Sequence, residues 1–158
     1  MTQYATFRIE DLMCGLEILV VREINRLLDI TPVPHALPHV RGLINLRGQI
    51  VTILDLGVRL GFAPRQIGND THCIILRTDS ELAMVARRAD ARGLHTSADV
   101  AGLLVDAIGD VVEARDDQRK SAPANLGEAQ GKFISGVAET DSGMLVLLSL
   151  REVLATDN

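Results

Sequence analysis

Tryptophan is absent from this chain, and aromatic residues make up only 3% of it. A core must therefore be assembled from Leu, Ile, Val and Ala, which are plentiful enough: apolar residues are 47% of the 158. Cysteine is scarce. Cys14 and Cys73 stand far apart with no CxxC spacing, so neither a zinc ribbon nor a disulfide framework is written here. They read most simply as reduced, small apolar fillers in a cytosolic protein, with a disulfide between them the lesser alternative. No apolar run approaches the roughly 20 residues that cross a bilayer. The opening MTQYATFRIEDL has no charged segment followed by an apolar stretch, so no secretory signal peptide is expected. Basic excess is also lacking. The net charge of −5 argues against nucleic acid or an anionic membrane surface as partner. A chain of this length makes one domain, or two small subdomains sharing a core.

Catalytic signatures are missing too. There is no GxSxG elbow, and the glycines at 42, 48, 57 and 61 fit neither GxxxxGK[ST] nor GxGxxG. His35 and His39, four apart, would share one face of a helix and could ligate a metal. Pro34 and Pro38 argue against that helix, and no third ligand lies nearby. A small metal-dependent enzyme using His35 and His39 stays the more distant alternative.

What is present is strand and turn. Gln3–Ile9 alternates as a first strand, Glu10-Asp11 turns, and Leu12–Leu16 follows. Glu17–Leu28 reads as a turn of helix feeding a strand, ended by Thr31-Pro32-Val33-Pro34. The most informative segment is Gly42–Gly61, GLINLRGQIVTILDLGVRLG. Leu43–Leu46 and Ile50–Leu54 flank an Arg47-Gly48 tip, a hairpin signal. Asp55 then stands where a helix N-cap belongs. Arg47 needs an explanation: a guanidinium at a tight connection between half-buried runs calls for an anionic partner or a binding role. Glu23, in Val20-Val21-Arg22-Glu23-Ile24, is the natural partner, and a bidentate bridge between the two would hold the tip. Two independently solvated side chains are the alternative.

Ala63–Thr71, with Pro64, Gly68, Asn69 and Asp70, is the candidate subdomain boundary. Cys73–Leu76, Gly102–Val105 and Ala107–Arg115 read as strands. Ser80–Arg92 reads as a helix with Ser80 as N-cap, and Asp116–Lys132 as a polar loop. The chain closes with Phe133–Glu139, a turn at Asp141-Ser142-Gly143, Met144–Leu148, and a helix over Leu150–Ala155. This end echoes Gly42–Leu60, with Ser149 at the capping position of Asp55. Two such units imply two similar small antiparallel barrels packed together. Only the first unit carries an arginine at its tip.

These residues resemble a known family. QYATFRI, VREI and VRGLINLRGQIVTILDLGVRLG, with GLLVDAIGDVVE and FISGVAETDSGMLVLLSLREVL, look like CheW, the adaptor coupling chemoreceptors to the histidine kinase CheA. The resemblance spans nearly the whole chain. It implies a mainly β fold of two SH3-like five-stranded barrels around a shared apolar interface, with short helices including a C-terminal one. The barrels are expected at about residues 10–65 and 66–155, with strand 3–9 able to join the second. It implies no enzymatic activity, no cofactor and no metal. The groove between barrels would receive the tip of the receptor's cytoplasmic hairpin, and barrel ends would dock on the regulatory domain of CheA, building rings with other CheW copies. Carried over by position, Glu23 and Arg47 match residues implicated in signalling geometry. Val21 and Gly42 fall at partner-contact positions, and Val20 and Ile24 extend that surface. Asp79–Val100 is longer than the hairpin expected there, and Leu-Met-Cys near residue 12 departs from the usual pattern. The expected setting is a stand-alone cytoplasmic protein recruited to membrane-associated receptor arrays. The alternative is a CheW-like adaptor of a non-flagellar pathway, serving surface motility or a second messenger.

Overall fold

The computed structural model describes residues 1–26, 29–86, 94–122 and 127–155. Eleven strands in the described residues form two mixed sheets. One sheet holds β3 (Val21–Arg26), β6 (His72–Leu76), β7 (Ala101–Val105), β5 (Gln49–Asp55) and β4 (Val40–Leu46), in that spatial order. The other runs β8 (Ala107–Ala114), β1 (Thr2–Ile9), β2 (Leu12–Glu17), β11 (Gly143–Leu148), β10 (Ile134–Thr140), then the two-residue β9 (Arg119–Lys120). The first five strands of the two orders correspond one to one. In each, one pair is parallel (β5 with β7, β11 with β2) and the other three are antiparallel. The expected echo is thus a repeat of pairing pattern, although the barrels are not purely antiparallel.

Each barrel closes by the same device. The chain leaving one edge strand turns back and pairs with the opposite edge. After β3, Thr31 exchanges both backbone hydrogen bonds with Leu43 of β4, at 2.8 and 2.9 Å. After β8, β9 pairs with β10 at Val137. Both receiving strands carry a bulge ending on glycine, Val40/Gly42 and Ile134/Gly136. A Cβ on Gly42 would sit 2.3 Å from the Thr31 carbonyl oxygen, and one on Gly136 2.5 Å from that of Lys120. Only a residue without a side chain lets the closing segment approach so closely.

Strand membership does not follow the division expected near residue 65. β2 belongs with β1 and β8–β11, while β6 and β7 belong with β3–β5. The amino-terminal hairpin fills, in the second barrel, the place that β6 and β7 fill in the first. Strand 3–9 does lie in the second barrel's sheet.

Alternation sorts the strands between two environments. In β6, Cys73 and Ile75 point into the first barrel with Ile44, Val51, Ile53 and Leu104. Ile74 and Leu76 point the other way, into a larger cluster with Phe7, Ile9, Leu56, Leu103, Leu148, Leu150 and Val153. That cluster joins both barrels. A smaller one, around Tyr4, Leu145 and Leu147, fills the second barrel. β7 is buried along its whole length because it faces two cores. Both cysteines are buried, unpaired fillers, and burial pushes each thiol up to about 12.

The short helices follow local rules. Asp55 caps α1 (Leu56–Arg59), its Oδ1 accepting from the Val58 amide at 3.2 Å. Ser149 holds the equivalent place before α4 (Leu150–Val153), but its side chain makes no capping bond. The helix expected over Ser80–Arg92 is α2 (Asp79–Ala86), and its cap is Thr78. The Glu81 amide donates to Thr78 Oγ1 at 3.2 Å while Glu81 Oε1 accepts from the Thr78 amide at 3.1 Å. This is a reciprocal box that outcompetes a lone serine; residues 87–92 of the expected helix lie outside the described residues. The expected loop Asp116–Lys132 contains β9 and most of α3 (Glu128–Phe133).

Candidate interaction surface

Arg47 and Gly48 are the two connecting residues of the β4–β5 hairpin, with φ of 53° and 84°. Positive φ at both positions is what a type I′ connection requires. Asn45 braces the turn, its Oδ1 accepting from the Gly48 amide at 2.8 Å. Arginine is an unfavourable choice here, since its Cβ crowds the backbone in the left-handed region. Its side chain is 65% exposed and reaches across to β3, where Arg47 Nη2 donates to Glu23 Oε2 at 2.5 Å.

The expected pair is therefore present, in monodentate form. Glu23 Oε1 accepts instead from Asn25 Nδ2 at 2.8 Å. Hydrogen bonds from Arg47 and then Asn25 hold the Glu23 carboxyl below its ordinary value. β3 and β4 are opposite edges of one sheet, and barrel closure makes them neighbours. Arg22 ties the same seam, donating to Gln49 Oε1 at 3.0 Å and lying 3.7 Å from Glu81.

The other expected residues separate into surface and core. Ile24 is exposed on β3, and so is Ile50 beside the hairpin tip. Val20 and Val21 are buried; Val20 sits in the cluster between barrels. Gly42 is buried beneath Thr31 and serves closure. The structure thus brings together Arg47 and Glu23, adds Arg22 and Gln49, leaves Ile24 and Ile50 exposed on the strands that carry the seam, and buries Val20, Val21 and Gly42. Ile50 could have been suspected from its place next to the Arg47-Gly48 turn. Arg22 and Gln49 carry no sequence signal for a contact across a closed barrel.

A cavity of about 440 Å³ opens on the second barrel, where Val20, Leu94 and His95 from the segments leading into β3 and β7 meet it. Most of its lining comes from the second barrel, apolar at Leu16, Leu147 and Leu150 and polar at Arg119, Ser135 and Arg151. Glu17 faces it as well; burial pushes its carboxyl above the ordinary value, with Arg119 opposing.

His35 is exposed, in a turn with φ of 62°, whereas His39 is buried. Among the described residues, no group of three or more His, Cys, Asp or Glu is placed to hold a metal ion. No described helix is long and apolar enough to cross a membrane.

The CheW-like domain profile matches residues 3–158. The chain belongs to the CheW-like family. A probable chemotaxis protein CheW from Rhizobium etli is 32% identical over 94% of this chain and 84% of its own length. The chemotaxis protein CheW of Rhizobium meliloti is 32% identical over 96% of this chain and 86% of its own. The crystal structure of a CheW scaffolding protein from Thermoanaerobacter tengcongensis superposes with a TM-score of 0.75 at 26% identity, covering 94% of this chain and 89% of that one. Two SH3-like barrels and a chemotaxis scaffold family are thereby shown for this chain.

Proposed function

We propose that this CheW-like protein is a non-enzymatic cytoplasmic adaptor that couples chemoreceptors to the histidine kinase CheA within a receptor array. The observation that carries the reading is the seam around Arg47. An exposed guanidinium is held in an unfavourable turn conformation by a carboxylate from the far edge of the sheet. Ile24 and Ile50 are exposed on the strands that carry this seam. An exposed arginine held in one orientation is the kind of residue that anchors a protein-binding hot spot. The regulatory domain of CheA is the partner assigned to this surface. The cavity of mixed polar and apolar lining on the second barrel is assigned to the receptor's hairpin tip. Strain kept at a position of no structural necessity marks function rather than folding.

Co-sedimentation with receptor cytoplasmic fragments and CheA tests the assignment. Arg47→Glu places two carboxylates together at the seam, and is expected to abolish ternary assembly while the protein stays folded by circular dichroism. Normal receptor control of the kinase by folded Arg47→Glu protein would refute the role given to this residue.

A further inference from the structure

Arg65, in the connection between α1 and β6, is the most deeply buried guanidinium among the described arginines in ion pairs: its side chain is 5% exposed. The backbone of this residue is fastened to the first barrel. Its amide donates to Asp55 Oδ2 at 2.8 Å, and its carbonyl accepts from Arg41 Nη1 at 2.8 Å. The side chain is fastened elsewhere. Nη2 donates to Glu10 Oε1 at 2.8 Å and to the Ala63 carbonyl at 2.7 Å, and Nη1 donates to Asp106 Oδ2 at 2.9 Å.

Glu10 is the first residue of the β1–β2 turn of the second barrel. Asp106 is the one residue between β7 of the first barrel and β8 of the second. The two are already tied to each other, because Asp106 Oδ2 also accepts from the Glu10 amide at 2.8 Å. Space for the guanidinium is made by Gly57, where a Cβ would lie 2.3 Å from Arg65 Nε. The guanidinium also lies over the Phe62 ring, 5.7 Å from its centroid.

Burying this charge is a poor way to gain stability, since apolar residues of similar volume do as well or better once desolvation is counted. What the arrangement adds is direction. The cluster of Leu, Ile and Val between the barrels is non-directional and tolerates small rotations. A fork of hydrogen bonds from a clamped backbone does not.

We propose that Arg65 is a positioning residue that sets the angle between the two barrels, and with it how Val20, Leu94 and His95 meet the second barrel's cavity. The proposal rests on the adaptor reading, in which a receptor segment occupies that cavity while CheA engages the Arg47 surface of the first barrel alone. Receptor binding then depends on Arg65, and kinase binding does not.

The test uses the full chain carrying Asp70→Cys and Val111→Cys, one exposed position on each barrel. Spin labels on the two report the inter-barrel distance by pulsed electron resonance; the native thiols are buried. Arg65→Met is expected to broaden or displace the distance distribution, to weaken receptor-fragment binding about ten-fold, and to leave CheA binding unchanged. Glu10→Gln is expected to do the same to a smaller degree. Its side chain is 49% exposed, so it decides the matter if Arg65→Met fails to fold. An unchanged distribution in a folded variant overturns the proposal. Failure of the parent protein to bind receptor or CheA overturns the adaptor reading instead, and the distance measurement still decides the positioning role.

Discussion

Turn chemistry alone would place asparagine, not arginine, before Gly48. Asn-Gly is the favoured pair for a hairpin connection in which both residues have positive φ. Arg47→Asn therefore separates what this position contributes to folding from what it contributes to binding. At φ of 53°, arginine bears a left-handed penalty of about 1 kcal/mol, most of which asparagine avoids. Against that gain stands the lost pair with Glu23. With the Arg47 side chain 65% exposed, solvent screening limits the pair to about 0.2–1 kcal/mol. Glu23 is not abandoned, because Asn25 still donates to it and Arg22 lies 3.8 Å away. The sum is a change between about zero and +1 kcal/mol, or a rise in Tm of up to about 4 °C. Binding moves the other way: loss of a central arginine hot spot of about 2 kcal/mol weakens the complex with the CheA regulatory domain about thirty-fold. Urea denaturation and calorimetric titration read the two quantities. The pH dependence supplies an internal check. Glu23 is depressed in the folded protein, so its stabilisation is present above the unfolded carboxylate value and is lost as pH falls through the folded one. The variant should thus gain on the parent as the solution is acidified, and its Glu23 should titrate closer to the ordinary range by NMR. Destabilisation of Arg47→Asn by more than about 1 kcal/mol, or an unchanged affinity for CheA, would refute the reasoning.

Gly42→Ala should cost about 2–4 kcal/mol, because a Cβ there meets the Thr31 backbone and the φ of 151° suits only glycine. The urea midpoint falls, and the Leu43 amide, bonded to Thr31 in the parent, loses protection from hydrogen exchange. His39 is buried, and burial first and Arg59 second hold its pKa down. Its contribution is complete above the unfolded histidine value of about 6.5 and is lost as pH falls through the lowered folded value. His39→Gln should flatten the stability profile in that acidic window; an unaltered slope would show that another group sets it.

Much of the fold was legible because its signals are local. The Arg47-Gly48 hairpin, the Asp55 cap and the turn of helix before β3 depend on residues within a few positions of one another, and each lies where expected. The Thr78–Glu81 box was equally local and was obscured only by a serine two residues on. The Glu23–Arg47 pair was inferred from chemistry, as an unplaced guanidinium and an available carboxylate. Its geometry came from closure of the barrel, which brings opposite edges of a sheet together.

The sequence by itself determined the kind of protein this is: an aliphatic, aromatic-poor double barrel with strands marked by alternation and turns marked by glycine. Tertiary structure alone decided which strands share a barrel. Pairing β1 and β2 with β8 and β11 joins residues a hundred positions apart, and no period or turn residue records such a choice. It also decided which aliphatics face outward. Val20, Val21 and Ile24 look alike in sequence, yet two are buried and the third is exposed beside Glu23. A β-branched residue carries the same propensity on either face of a sheet, so the identity of its neighbours is settled only when the barrel closes.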